Sequence, residues 1–212
     1  MYYVFDMDGV LVRSASVTIH AAQLILEEYG ITAEPSEFDP FIGAGEARFI
    51  GGVAEAHGLT YEPVMKEKLN NKYAEIVGDE LPPYPSGKKV LEKLREQGVK
   101  FALASSADMV KIKANLGAAG IPLDWFSAIA SGEDAERKKP APDIFLAAAK
   151  RLGADPKDCL VVEDAINGIE AARSAGMKVV TITSYFDRET LKKHQPDAVI
   201  DDLMELLEVE IK

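Results

Sequence analysis

The sequence predicts an α/β protein: an open parallel sheet with an all-helical insertion after its first strand. Three observations carry this. Six short apolar runs, Tyr2 to Phe5, Lys100 to Ala104, Ala128 to Ala130, Cys159 to Val162, Val179 to Thr183 and Ala198 to Ile200, have the length and continuity of strands covered on both faces. Helical patterns separate the later runs, and strands alternating with helices build a parallel sheet. From Arg13 to Tyr84 the alternation stops and only helical signals occur.

The first run ends in "FDMDGVL", where two aspartates two residues apart precede a glycine. Helical segments follow at Val17 to Tyr29, Glu46 to His57 and Pro63 to Val77, and the proline-rich "LPPYPSG" closes the insertion like a hinge. Further helices are expected at Lys88 to Gln97, Met109 to Ala119, Pro142 to Leu152 and Ala165 to Ala175. Pro142 is preset for a first helical turn, while Gly153 and Gly176 stand where helices stop. The expected organisation is a core of residues 1–12 and 85–212 and a helical cap of residues 13–84, a reasonable division for a chain of 212 residues.

Composition narrows the function classes. With 24 basic against 35 acidic residues the net charge is −11, and the one basic cluster, "ERKKP", is short. Nucleic-acid backbones and anionic membranes are poor partners for such a surface, whereas a local pocket can still hold a small anion. No apolar run approaches the roughly 20 residues needed to span a bilayer. Asp6 and Asp8 interrupt the first apolar stretch, so no secretion signal is read there. The single cysteine, Cys159, lies in a strand-like run and has no internal partner, which suits a reducing compartment. A cytoplasmic, monomeric protein is expected.

In an open α/β sheet, ligands bind outside the carboxyl ends of the strands. Asp6 and Asp8 follow the first strand, Ser105 and Ser106 the second, Glu163 and Asp164 the run "CLVV", and Lys139 precedes the helix at Pro142. Crowded carboxylates repel one another, and Mg²⁺, a hard cation that takes oxygen ligands and substrate phosphate, relieves that repulsion. One carboxylate in line with phosphorus can attack it, and a second can protonate the leaving oxygen and later activate water. A lysine and a serine hydroxyl can hold the remaining phosphoryl oxygens.

The pieces "DMDGV", "LASS", "KKPAPDIF" and "VVEDAINGI", in this order, resemble the four motifs of the haloacid dehalogenase superfamily, in the branch that holds β-phosphoglucomutase and small-molecule phosphatases. The resemblance implies a Rossmann-like core, an aspartyl-phosphate intermediate and a Mg²⁺ cofactor. It implies Asp6 as nucleophile and metal ligand, and Asp8 as general acid/base whose backbone carbonyl also binds the metal. Asp164 is a further ligand, and Glu163 a ligand or the anchor of one. Ser105 and Lys139 bind phosphate, with backbone amides around Met7, Asp8 and Ser106 completing the cradle.

The acceptor decides the activity: water makes a phosphatase, a sugar hydroxyl makes a mutase. In β-phosphoglucomutases the cap supplies an arginine and a histidine, and here Glu46 and Thr18 align there, with Arg48 and His20 each two residues away. An acidic residue facing a second phosphate is repulsive, which favours a phosphatase of a small sugar-phosphate-like metabolite. The rival expectations are β-phosphoglucomutase and a non-catalytic regulatory domain. Specificity is expected from the cap loop including Gly45, Glu46 and Arg48, and from Arg13, which either touches substrate from the hinge or pairs with cap carboxylates. Ala165 replaces the serine that several relatives of this branch carry in the motif, which bears on the network behind the metal site. His20, His57 and His194 show no metal-ligand spacing and belong to the surface or cap, and Trp125 and Phe126 are expected under the sheet. The glycines of "GAGEARFIGG" lack the lysine-serine ending of a phosphate loop, so they read as a cap loop over the site.

Overall fold

Six parallel strands form one sheet in the computed structural model, which describes residues 1–209; the last three residues of the expected core segment lie outside them. The strands are β1 (Tyr2–Phe5), β2 (Phe101–Ala104), β3 (Ala128–Ala130), β4 (Cys159–Glu163), β5 (Lys178–Ile182) and β6 (Ala198–Ile200). Their order is β3-β2-β1-β4-β5-β6. Phe5 pairs with Leu103 of β2 on one side and Val162 of β4 on the other, so β1 is central and its end opens between two neighbouring strand ends. That is where the strand order reverses and where ligands of such sheets bind.

The helices are α1 (Ala15–Glu28), α2 (Glu46–Ala56), α3 (Pro63–Glu80), α4 (Pro85–Glu96), α5 (Met109–Ala118), α6 (Asp143–Leu152), α7 (Ile166–Ser174) and α8 (Arg188–Lys192). Pro142 caps α6 from outside rather than opening it, and α3 runs to Glu80, one turn beyond the expected Val77, because nothing before Leu81 stops it. The short α8 and a 3₁₀ stretch over Pro35–Phe41 were not foreseen; both are too brief to show a helical period.

Apolar residues gather in three buried clusters. One lies on each face of the sheet, around Phe5, Phe101 and Leu103 on one side and Val4, Phe145 and Val161 on the other. The third is drawn from α1, α2, α3 and the Pro35–Phe41 turn, with Leu26, Phe38, Ile50 and Leu69 fully buried. The all-helical insertion therefore has its own apolar centre, and α3 packs along α5 of the sheet domain. Phe126 packs edge-to-face on Phe101 at 5.4 Å, as expected. Trp125 also packs against the Phe101 cluster, but only half-buried, with the Arg95 guanidinium 4.6 Å above its ring. Cys159 is buried. No helix among the described residues is long and apolar enough to cross a membrane.

Candidate active site

The carboxyl ends of β1, β2, β4 and β5 meet in one place. Asp6 continues β1, its amide donating to Val162 O at 2.9 Å, so the backbone of the central strand aims its carboxylate into the gap beside β4. Lys139 reaches the same point from the segment before α6 and donates to Asp6 Oδ1 at 2.7 Å and to Glu163 Oε1 at 2.5 Å. The other Glu163 oxygen accepts the Asp164 and Ala165 amides, each at 2.6 Å. Both oxygens of Glu163 are thus engaged. Asp164 points the other way and accepts from Ser184 Oγ, at the end of β5, at 2.7 Å.

Burial dominates the electrostatics. Removal from water pushes the Asp6 carboxyl up; Lys139 opposes this, neighbouring Glu163 and Asp8 add to it, and the pKa rises to about 7. Asp164 is raised well above the usual carboxylate range, first by burial and then by the Glu163 and Asp6 charges. Burial alone would lower the Lys139 ammonium, but the Asp6 and Glu163 carboxylates outweigh it and hold the pKa above its ordinary value.

Asp8 is held from three directions. Its Oδ1 accepts from Ser14 Oγ and, at 3.0 Å, from Asn115 Nδ2, and Lys111 Nζ lies 3.3 Å from Oδ2. Lys111 and Asn115 are four residues apart on α5 and so share one helix face. Asn115 in turn accepts from the Tyr73 hydroxyl of α3. Sequence reasoning missed Ser14, Lys111, Asn115 and Ser184. A signal existed for two of them: Lys111 and Asn115 stand beside buried Ile112 and Leu116 in the helical register, where an amphipathic helix places apolar side chains.

These groups line a cavity of about 360 Å³, within the range of small-molecule sites. Asp6, Asp8, Ser105, Ser106, Lys139, Glu163 and Asp164 are all on its wall. The Met7 side chain is fully buried in the core, leaving only its backbone for a ligand; among the described residues no protein acceptor takes the Met7, Asp8 or Ser106 amide. From the insertion come Thr18, Ile19, Phe41, Gly45, Glu46 and Phe49, so the glycine loop does bend over the site. Arg48, expected beside them, points away: it pairs with Glu55 at 2.8 Å and stacks on Phe41. Arg13 lines the cavity but forms no ion pair with cap carboxylates among the described residues. It donates to Gly9 O at 2.6 Å and lies 4.1 Å over the Tyr84 ring, because Tyr84 closes the insertion next to where Arg13 opens it. His20, His57 and His194 pair separately with Glu80, Glu37 and Glu170, away from the cavity.

Gly9 makes the close approach of these strand ends possible. Its φ is +80°, and a Cβ built there would overlap the Asp164 carboxylate. Gly9→Ala is expected to cost about 1–3 kcal/mol in strain and to lower turnover at least about 10-fold by displacing Asp164. Thermal unfolding and kcat measured together test this, and an unchanged pair of values would show that the turn yields freely.

A haloacid dehalogenase-like hydrolase family profile matches residues 2–176. The chain belongs to that family. Haloacid dehalogenase-like relatives include the chloroplastic protein Suppressor of Quenching 1 of Arabidopsis thaliana, 38% identical over 94% of this chain, although the chain spans only 19% of that protein's length. A phosphoglycolate phosphatase of Pectobacterium atrosepticum is 29% identical over 96% of this chain and 89% of its own. Among solved structures, β-phosphoglucomutase from Clostridium difficile superposes with a TM-score of 0.82 at 27% identity, covering 97% of this chain and 92% of that one.

Proposed function

We propose that this haloacid dehalogenase-like hydrolase is a Mg²⁺-dependent phosphatase of a small phosphorylated metabolite of the sugar-phosphate class. The observation that carries the reading is the meeting of Asp6, Asp8, Lys139 and Asp164, from separate stretches of the chain, on one cavity wall. Phosphatase relatives support it.

An Asp6 oxygen attacks phosphorus as the bond to the leaving oxygen breaks, and Asp8 gives that oxygen its proton. The product leaves and an aspartyl phosphate remains on Asp6. Asp8, now a base, takes a proton from water; the water oxygen bonds to phosphorus, and inorganic phosphate departs as Asp6 is restored. Lys139, the Ser105 and Ser106 groups and the free amides face the phosphoryl oxygens, where charge builds. Residues 13–84, proposed as a cap hinged at Arg13 and the proline-rich segment, keep bulk water out.

Mg²⁺ fits the donor set. The wall carries five carboxylates, Asp6, Asp8, Glu46, Glu163 and Asp164, against three cations, Arg13, Lys111 and Lys139, before a phosphate dianion enters. Among the described residues no three acidic, histidine or cysteine groups close into a full cage. That suits an ion that takes one or two carboxylates and fills its remaining sites with water and phosphate. Asp6, Asp164 and the Asp8 carbonyl would hold it, and it would supply positive charge against the phosphoryl oxygens.

A mutase needs a cation for the distal phosphate of a bisphosphate. The aligned cap position is Glu46 on the cavity wall, and Arg48 is turned to Glu55, so the cap supports hydrolysis instead. The test is a panel of sugar phosphates, nucleotides and phosphorylated glycolytic acids, with Mg²⁺ and with EDTA. Mg²⁺-dependent phosphate release is expected. Silence across the panel would favour a non-catalytic role, and isomerisation of glucose 1-phosphate without phosphate release would favour the mutase.

A further inference from the structure

Lys111 stands in the first turn of α5, and its ammonium lies 3.3 Å from Asp8 Oδ2 and 3.8 Å from Glu46 Oε1. Asp8 belongs to the sheet domain, whereas Glu46 opens α2 of the insertion. Lys111 and Glu46 are each only 6% exposed. Burying the Lys111 and Glu46 charges beside half-buried Asp8 costs several kcal/mol per buried ion before mutual attraction returns it, and apolar residues of similar volume would often serve stability equally well. A polar arrangement held at that cost therefore needs a reason other than stability.

The geometry around Asp8 supplies one. Ser14 and Asn115 both donate to Oδ1, while Lys111 approaches Oδ2. Both ends of the Asp8 carboxylate are thus restrained, and losing the cation frees one of them. Glu46 shares that cation from the opposite side, and α5 carries it on a rigid helix.

We propose that Lys111 is the positioning residue for the proton donor, and that Glu46 makes this positioning depend on the cap being in place. The proposal rests on the phosphatase reading above, in which Asp8 protonates the leaving oxygen. Lys111 and Glu46 transfer no proton themselves: they hold the Asp8 carboxylate where the leaving oxygen will be. Glu46 then reads as half of a cap-to-core clasp, which explains an acidic residue at a place where a second substrate phosphate would be repelled.

The consequence depends on the leaving group. p-Nitrophenolate departs as a stable anion and needs little help from an acid; phenolate is more basic and gains more from protonation. The first turnover, followed by rapid quench on the full chain with Mg²⁺, isolates that step. Lys111→Met is expected to slow phenyl phosphate cleavage on the order of 100-fold and p-nitrophenyl phosphate less than about 10-fold, the scale of a misplaced general acid. Glu46→Gln should shift the ratio the same way by a smaller factor, and Lys111→Arg should recover most of it. Equal slowing of both substrates, or no slowing, would overturn the proposal. Should Lys111→Met fail to fold, Glu46→Gln decides, since it keeps its shape, and an unaltered ratio there refutes the clasp. A wild-type protein inactive on both substrates would instead count against the phosphatase reading itself.

Discussion

Asp6→Asn is expected to abolish turnover and, in the EDTA-treated protein, to raise the melting temperature. The two effects have one cause. In the proposed reaction Asp6 attacks phosphorus, and an amide oxygen is too poor a nucleophile to replace it, so kcat should fall by about 10,000-fold or more. Yet the same carboxylate is costly to bury as an anion: burial pushes its pKa from 3.8 to about 7. A carboxyl with a folded-state pKa above its unfolded one binds more protons when folded across that interval. It therefore takes stability away as pH rises from about 4 to about 7, and the full cost is present above that. The rise corresponds to a ceiling of about 4 kcal/mol, which in a domain of this size means a gain of several degrees for Asn at pH 8. At pH 4 the gain should vanish, because Asp6 is then neutral in the folded protein. Thermal unfolding at the two pH values, beside phosphate release, measures both halves. An Asn variant that still turns over, or one that melts lower at pH 8 than the wild type, would contradict this account of the site.

The parts legible in the sequence were those that local chemistry fixes. Short apolar runs bounded by turns suit buried strands, and strands alternating with helices leave few arrangements besides a parallel sheet, so the side chains following each run fall at one edge. Asp6, Ser105, Glu163 and Asp164 were read that way, and Lys139 from the motif before Pro142. What stayed hidden depends on helix rotation and long-range packing. Glu46 and Arg48 are two residues apart, about 200° around a helix, so one faces the cavity and the other Glu55 on the outside. Which of them would face inward is set by how the cap cluster around Phe38, Phe49 and Ile50 seats α2, and no local pattern reports that. Lys111 and Asn115 left a trace in the register of α5, but their meeting with Asp8 depends on long-range packing, in which Tyr73 of α3 bonds Asn115. Ser184 was within reach, since the strand-end rule that found Ser105 also applies to β5. Of the two roles expected for Arg13, pairing with cap carboxylates gives way because Tyr84, 71 positions away, offers its ring across the hinge, while Arg13 keeps a place on the cavity wall.

Lys139→Met is expected to be the most destabilising single change at the site. Lys139 is buried, and its ammonium bonds two buried carboxylates, Asp6 and Glu163, while its charge lies 4.8 Å over the Phe145 ring. Its folded-state pKa lies above the ordinary value, so its contribution is fully present at neutral pH and is lost only in strong alkali. Removing it leaves Asp6, Glu163 and Asp164 packed together with no cation bonded to them, a loss of about 3–5 kcal/mol for a broken buried pair. The loss must depend on pH in the direction Asp6 dictates: at pH 5 the Asp6 carboxyl can be protonated and relieve the repulsion, so the melting temperature should fall less at pH 5 than at pH 8. Lys139→Met combined with Asp6→Asn should melt above Lys139→Met alone, since the second change removes a charge the first left unbalanced, and contacting groups of this kind are not additive. Mg²⁺ should recover part of the lost stability at pH 8, because the cation proposed for Asp6 and Asp164 would meet the same excess of negative charge and bind only the folded protein. Catalysis should not return with it, because in the proposed reaction the phosphoryl oxygens need the ammonium of Lys139. Equal losses at both pH values, with no response to Mg²⁺, would mean that Lys139 acts by filling space over Phe145 and not by balancing charge.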